Sequence, residues 1–408
     1  MTATALLLYV LALHTSMAGM EIFGWILFLF GLIGLFYPER KPSLRVPLDV
    51  PILIYVGFCL LSIAITKSPA EPFLSRIADL TWIFTFWGVT KCLQLVWSED
   101  FEKKALITWF VGLFAATGMG IYQYFSGFDF IRQTGSNLPQ VGDYFRSTGF
   151  FSLCLTFAYS MGISGFSSAL SLRKINRYFP YFAVLLAGAC IFNSMTRGAW
   201  VSFIFTLVIM ALFFVKKLSF KQIITISAFV LIYGLVLTQS KGGEKRIEKL
   251  VSTQTDEAVS ERFDIWKAYL QIFKDNPVAG VGFNEGPSHL LKTYEKLGMD
   301  QTFVSHAHND YLQVLAETGV IGLLAYLFLL GSAFWMTFKL MNYRMDWSIS
   351  LMAGQLFISI GSLSQANFTD AEVNHFMIFN WALVAMLHLK QKKSSQQLSD
   401  QAVVRTSN

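Results

Sequence analysis

The sequence is short of charge. Only 14% of its 408 residues are Asp, Glu, Lys or Arg, against about 25% in an ordinary soluble domain. That shortfall, with 54% hydrophobic residues and 39 phenylalanines, excludes a disordered chain and a charge-rich coiled coil. Cysteine is scarce too. Cys59, Cys92, Cys154 and Cys190 are too widely spaced for a disulfide scaffold, and no Cys-x-x-Cys or Cys/His metal spacing occurs. All four fall in apolar runs, where free cysteine is a small packing residue. No alternating basic–aromatic pattern accompanies the net charge of +6, so that charge does not indicate nucleic acid. The first apolar run lacks a basic leader and a clear small-residue cleavage site, and reads as a retained span.

Long apolar runs are abundant, and they define an all-α integral membrane protein. A helix crosses hydrocarbon with roughly 20 mostly apolar residues, because its backbone must satisfy its hydrogen bonds internally. About twelve runs are predicted, near 3–17, 21–37, 49–66, 79–97, 105–125, 150–170, 178–195, 199–215, 222–239, 318–338, 348–367 and 375–389. They divide the chain into transmembrane helices one to nine (1–239), a long polar loop or cap (240–317), helices ten to twelve (318–389) and a tail (390–408).

The positive-inside rule orients these spans. With a cytoplasmic N-terminus, basic clusters such as Arg173, Lys174 and Arg177, or Lys216, Lys217 and Lys221, lie inside. So do Lys390, Lys392 and Lys393 in the tail. The short outer connectors hold only Lys67, Arg76, Arg132, Arg146 and Arg197. Both termini are therefore expected in the cytoplasm and 240–317 outside. The outer segment carries slightly more Asp and Glu than Lys and Arg, so the basic excess is an inner-face signal toward anionic lipid.

The outer segment is too long to be a mere connector. From about Glu257 to Lys274, Ile265, Trp266, Tyr269, Leu270 and Phe273 recur at helical spacing. Asp275-Asn276-Pro277 stops that helix, and Gly280-Val281-Gly282 continues as a turn. A second helical piece is predicted near 287–297, ending at Gly298. A further helix is expected to run from His308 without a break into the span at 318–338. The whole reads as a small helical cap on the membrane, too poor in apolar residues for an independent core.

Three basic residues in this frame carry possible chemistry. Arg197, in Ser194-Met195-Thr196-Arg197-Gly198-Ala199-Trp200, stands at an outer reversal between apolar spans. It is either an interfacial arginine beside a tryptophan anchor or an anion site, since an arginine near hydrocarbon must snorkel, pair or bind. Arg262 lies near the start of the amphipathic helix, where a cation opposes the helix dipole. It either pairs with Asp264 or Glu261 at the surface, or converges with the helix N-terminus on one anion. His308 heads His308-Asn309, with Gly319-Val320-Ile321-Gly322 beginning eleven residues on. On a continuous helix eleven residues turn about 1100°, so His308 and Gly319 share a face. The glycines would admit a second helix and fix the imidazole as an acid–base group. His306 competes with it, while His14, His289, His375 and His388 are weaker candidates.

The run Ser305-His306-Ala307-His308-Asn309-Asp310, continuing to Gly319 and Gly322, resembles the signature of the O-antigen ligase and O-antigen polymerase superfamily. Thr196-Arg197-Gly198-Ala199-Trp200 and Glu261-Arg262-Phe263-Asp264-Ile265-Trp266 resemble the motifs of its two outer arginines. The resemblance covers the chain from about Arg197 onward; the first half matches in topology. It implies a GT-C-like, metal-independent glycosyltransferase without cofactor. Such an enzyme moves a glycan from undecaprenyl diphosphate to an acceptor on the periplasmic side of the inner membrane. It further implies that Arg197 and Arg262 bind the donor diphosphate, that His308 activates the acceptor hydroxyl, and that Asn309 and Asp370 contact substrate. Asp370 is the nearest match to an acidic residue of the last outer connector, at a different spacing.

The chemistry suits these residues. A lipid diphosphate needs guanidinium forks at the membrane surface, and a neutral imidazole near pH 7 can take a hydroxyl proton. No Asp-x-Asp occurs in the outer segments, and Arg76, Arg132 and Arg146 stand as reserve phosphate contacts or plain surface residues. The leading reading is an O-antigen ligase with lipid A-core as acceptor. An O-antigen polymerase and a protein O-oligosaccharyltransferase share the motif. A lipid-linked-oligosaccharide transporter would show internal repeats and midplane charges; no convincing repeat is present, and Glu21, Asp49 and Asp79 lie near span ends.

Overall fold

The computed structural model describes residues 1–36, 42–66, 72–129, 131, 138–214 and 257–406. The chain runs through α1 (Thr2–Thr15), α2 (Met17–Gly34), α3 (Asp49–Ile65), α4 (Phe73–Ala78), α5 (Trp82–Val96), α6 (Glu99–Ser126), α7 (Cys154–Ser168), α8 (Phe179–Asn193) and α9 (Arg197–Phe214). It resumes with α10 (Glu257–Asp275), α11 (Leu290–Lys296), α12 (Asp310–Lys339), α13 (Met345–Gly361) and α14 (Ala371–Thr406). The sheet among the described residues is a two-stranded antiparallel hairpin, β1 (Gln140–Val141) with β2 (Tyr144–Phe145). Eleven of the twelve expected spans fall on these helices. The expected span at 222–239 and the boundary at 239–240 lie outside the described residues.

Local chemistry places the helix ends. Ser16 closes α1 in extended backbone and accepts from Gly19 N at 3.1 Å, so one serine divides two apolar helices. Ser98 caps α6 in the same way, and Glu99, Asp100 and Glu102 fill its first turn, the end that favours negative charge. Met17–Gly34, Glu99–Ser126 and Asp310–Asn342 are long and apolar enough to cross a membrane. Thr2–Thr15, Asp49–Ile65, Phe179–Asn193 and Arg197–Phe213 are apolar but shorter.

In the bundle α2 packs on α5, α1 on α6, and α7 on α8 and α13, while α12 runs along α3. The first half of α14 is buried on every side from Glu372 to His388, as expected of a helix apolar around its circumference. Outward faces carry Leu29, Phe114, Phe213 and Leu324, each more than half exposed. Apolar surface on that scale suits lipid and is foreign to a water-soluble monomer. The cap has a small core of its own: Ile265, Tyr269, Ile272, Leu290 and Tyr294 close over Ala307 and Ala316. Its apolar residues suffice because the start of α12 completes the cluster.

One expectation fails here. The helix does not run unbroken from His308: Asn309 is the N-cap of α12, and Gly319 interrupts it at φ 69°, ψ −171°. Val320 N donates instead to Pro277 O at 2.9 Å. A Cβ at Gly319 would strike the Val278 carbonyl. Glycine is required by its left-handed backbone and by the cap loop pressed against it, not by a second helix. Gly322 accommodates the Thr318 side chain of its own helix. His308 and Gly319 therefore do not share a helical face.

Candidate active site

The segment leading into α12 is fastened from two sides. From α10, Trp266 Nε1 donates to Ala307 O at 2.8 Å and Tyr269 Oη to Ser305 O at 3.1 Å. From α12, Gln313 Oε1 accepts from Ala307 N at 3.2 Å. With its neighbours pinned, His308 takes φ 47°, a conformation that costs a non-glycine residue about 1–3 kcal/mol and persists only where surroundings impose it. Met195, two residues before Arg197, has φ 51°. Two of the three left-handed non-glycine residues among those described thus belong to the basic motifs.

The His308 ring lies between the cap and the α13–α14 connector. Its Nδ1 is 3.0 Å from Gln365 Oε1 and its Nε2 is 3.4 Å from Ser305 Oγ. The His306 ring lies 4.2 Å from it, centre to centre, tilted by 52°. Burial lowers the His308 pKa from its ordinary value; the Gln365 hydrogen bond opposes this and the Arg262 charge adds to it. Burial, then His308 and Arg262, push His306 down to about 4. Both shifts favour the neutral imidazole. His306 precedes the helix, so its ring packs on the candidate base instead of sitting on another helical face.

Arg262 stands in the second turn of α10, near enough to His306, His308 and Tyr159 to act on all three electrostatically. Asp264, one of its expected surface partners, is engaged by Lys267 at 3.1 Å and Gln301 at 3.0 Å. Arg197 opens α9 after a turn tied by Thr196 N to Ser194 Oγ, and Arg146 Nε braces that turn at Ser194 O, 3.2 Å away. The expected tryptophan anchor is not interfacial. Trp200 is 4% exposed, and its indole N–H donates to Ile191 O at 3.0 Å. A buried indole with a satisfied N–H packs the bundle, so it cannot sit at a lipid headgroup. The Gly198 backbone abuts Ser364 Oγ and Tyr159 Oη, which themselves lie 3.3 Å apart. Arg197 is thereby linked to the connector that carries Gln365.

Asn309 and Asp370 have structural partners. Asn309 Oδ1 accepts from Leu312 N at 3.0 Å, and its amide donates to Leu363 O at 3.1 Å. Asp370 accepts from Thr156 Oγ1 at 2.5 Å and from Val373 N at 3.2 Å, capping α14; burial raises its pKa, against those hydrogen bonds. Of the reserve cations, Arg76 is buried against Glu285 at 3.4 Å, Arg146 braces the Arg197 turn, and Arg132 lies outside the described residues. Three of the four weaker histidines bond elsewhere: His14 to Ser164, His375 to Tyr9 and Glu21, His388 to Met336 O. Among the described residues no group of three or more His, Cys, Asp or Glu is arranged to hold a metal ion.

Sequence reading missed Gln365, Ser364, Tyr159 and Asp310. The polar run Ser362-Leu363-Ser364-Gln365-Ala366-Asn367, directly after an apolar span, was a usable signal for the first two. Tyr159 sits within an apolar run and gave none.

Residues 182–327, which hold all three basic motifs, match the family model described as O-antigen ligase. The chain is also 24% identical over 252 residues to an uncharacterized protein of Haemophilus influenzae (strain ATCC 51907 / DSM 11121 / KW20 / Rd), a match covering 59% of this chain and 59% of that one. Over residues 182–327, the stretch that carries all three basic motifs, the chain is similar to the O-antigen ligase family.

Proposed function

We propose that the protein is an inverting, metal-independent glycosyltransferase of the bacterial inner membrane. In this reading it is an O-antigen ligase that moves polysaccharide from undecaprenyl diphosphate to the lipid A-core oligosaccharide. The first nine spans (1–239) and the last three (318–389) cross the bilayer. The cap (240–317) and site are periplasmic, and both termini, with the tail at 390–408, are cytoplasmic. What supports the reading most is that a half-buried imidazole, His308, whose neutral form its surroundings favour, lies within the field of Arg262. A chain of contacts through Gln365, Ser364 and Tyr159 leads from it to the turn bearing Arg197.

The reaction follows from the charges. His308 takes the proton of the acceptor hydroxyl as its oxygen bonds to the anomeric carbon. The anomeric bond to the diphosphate breaks, and its electron pair leaves with the diphosphate. Arg197 and Arg262 stabilise the charge that develops there. A single displacement inverts the anomeric centre. Asn309 and Asp370 act in this reading chiefly by shaping the acceptor side, since their own polar atoms hold α12 and α14.

The test supplies labelled lipid-linked glycan and lipid A-core to the purified protein. Label on lipid A-core is expected. Label confined to longer polyprenyl-linked chains would replace the ligase by a polymerase, and label on protein by an oligosaccharyltransferase. His308→Ala should reduce transfer by about 10²–10⁴-fold while helix content is unchanged; normal turnover would remove the base role.

A further inference from the structure

We infer that Gln365 is a positioning residue for His308. Its side-chain carbonyl holds the imidazole as the Nδ1–H tautomer, so that Nε2 is the atom that receives the acceptor's proton. The inference rests on the glycosyl-transfer reading above and deepens it.

Gln365 Oε1 lies 3.0 Å from His308 Nδ1, and Gln365 is 4% exposed. A carbonyl oxygen accepts only, so this contact requires the proton on Nδ1 and leaves the lone pair on Nε2. On the Nε2 side the neighbour is Ser305 Oγ at 3.4 Å, a long contact from a hydroxyl that can donate or turn away. An acceptor hydroxyl can take its place without breaking a strong bond. The other groups bearing on the ring are Arg262 from α10 and His306 from the same segment. Neither supplies an acceptor at Nδ1 among the described contacts.

Gln365 itself is held by the residues that follow His308. Asp310 accepts from Phe368 N with both carboxylate oxygens at 3.1 Å, and Asp310 N donates to Ser362 O at 3.0 Å. Asn309 donates to Leu363 O at 3.1 Å. The connector is therefore stitched to the start of α12 on both sides of Gln365. One mesh sets base and orienting carbonyl in a fixed relation, as a second group orients the base in other acid–base sites. The step is a proton transfer with displacement. The acceptor oxygen loses its proton to Nε2 and bonds to the anomeric carbon, while Nδ1–H stays on Gln365 and the diphosphate departs with the bonding pair.

Gln365→Leu and Gln365→Glu, made in the full-length protein in detergent or nanodiscs, test this by pH profiles of single-turnover transfer. Leucine removes the acceptor; transfer should fall about 10–100-fold and the acidic limb should move to lower pH. Glutamate keeps an acceptor and adds negative charge; activity should survive, with the acidic limb moved to higher pH. Opposite displacements are not expected from a residue that only packs. Loss of activity in both variants without displacement of the limb would overturn the positioning role, as would a Gln365→Leu variant with the wild-type profile. An inactive, folded Gln365→Glu variant would show that the amide hydrogen is needed and would overturn the tautomer. His308→Ala separates the two levels. If it abolishes transfer while the Gln365 variants match wild type, only this inference fails. If it turns over normally, the underlying reading fails.

Discussion

Two partly buried polar clusters stand at opposite ends of the bundle and are built on opposite principles. Away from the cap, Glu102 is 2% exposed and receives Lys174 at 3.0 Å, Arg344 at 2.5 Å and Trp347 Nε1 at 2.7 Å, while Arg344 also meets Asp346 at 2.8 Å. Two carboxylates answer two cations, and the network is closed. At the cap end the imidazole of His308 meets a neutral amide and a hydroxyl, with Arg262 close by. A closed network serves the fold, since each charge is spent on another. In the proposed reading, an imidazole whose neutral form is favoured and a nearby guanidinium are what a hydroxyl acceptor and an anionic donor need.

Breaking each cluster should separate stability from activity. Glu102→Ala has the largest expected effect on the fold. It leaves the buried Trp347 indole N–H without its acceptor and Arg344 with Asp346 alone, and should destabilise the protein by about 1–3 kcal/mol, read as a lowered thermal midpoint, with transfer per folded molecule unchanged. A loss of specific activity in that variant would join the two clusters functionally. Arg197→Lys and Arg262→Lys should do the reverse. Replacing a planar fork by a point charge should weaken donor binding by about 1.5–3 kcal/mol, measured by equilibrium titration with the lipid diphosphate, at nearly constant thermal midpoint. Full donor affinity in both variants would refute the clamp.

The smallest effect is on pH. His308 has its pKa lowered by burial chiefly, so its neutral form persists below the ordinary 6.5. Transfer should therefore hold as pH falls past that value and drop only through the depressed one. The stability sign agrees: the unfolded chain takes up this proton first, so the neutral ring's contribution is intact above the unfolded pKa and erodes below it. Arg262→Gln, by removing a neighbouring positive charge, should move the acidic limb upward. A limb at or above the ordinary imidazole pKa in the unaltered protein would contradict the burial of the base.

Much of this organisation is legible in local sequence. The apolar runs predict most helices to within a few residues, and Glu257–Asp275, the Gly280–Gly282 turn and the piece ending at Gly298 are read correctly from spacing and breakers. Arg197, Arg262 and His308 stand out because charge and imidazole are rare in such a chain. Gln365 does not, since its partner lies 57 residues away and one polar amide in a connector has no periodicity to betray it.

Composition and periodicity by themselves thus determined an all-helical chain with apolar outward faces and three basic motifs. Hydrocarbon-length runs leave the backbone few alternatives to the helix. Only the tertiary structure decided that α12 breaks at Gly319, that Trp200 is buried, and that His308 turns its Nδ1 to Gln365. Each depends on a remote segment: the Pro277–Ala279 loop displaces a helical hydrogen bond, the carbonyl of Ile191 takes up an indole, and a connector sewn to Asp310 presents an amide oxygen. Local pattern encodes which face of a helix is apolar; it does not encode what arrives from elsewhere in the chain to meet a polar atom.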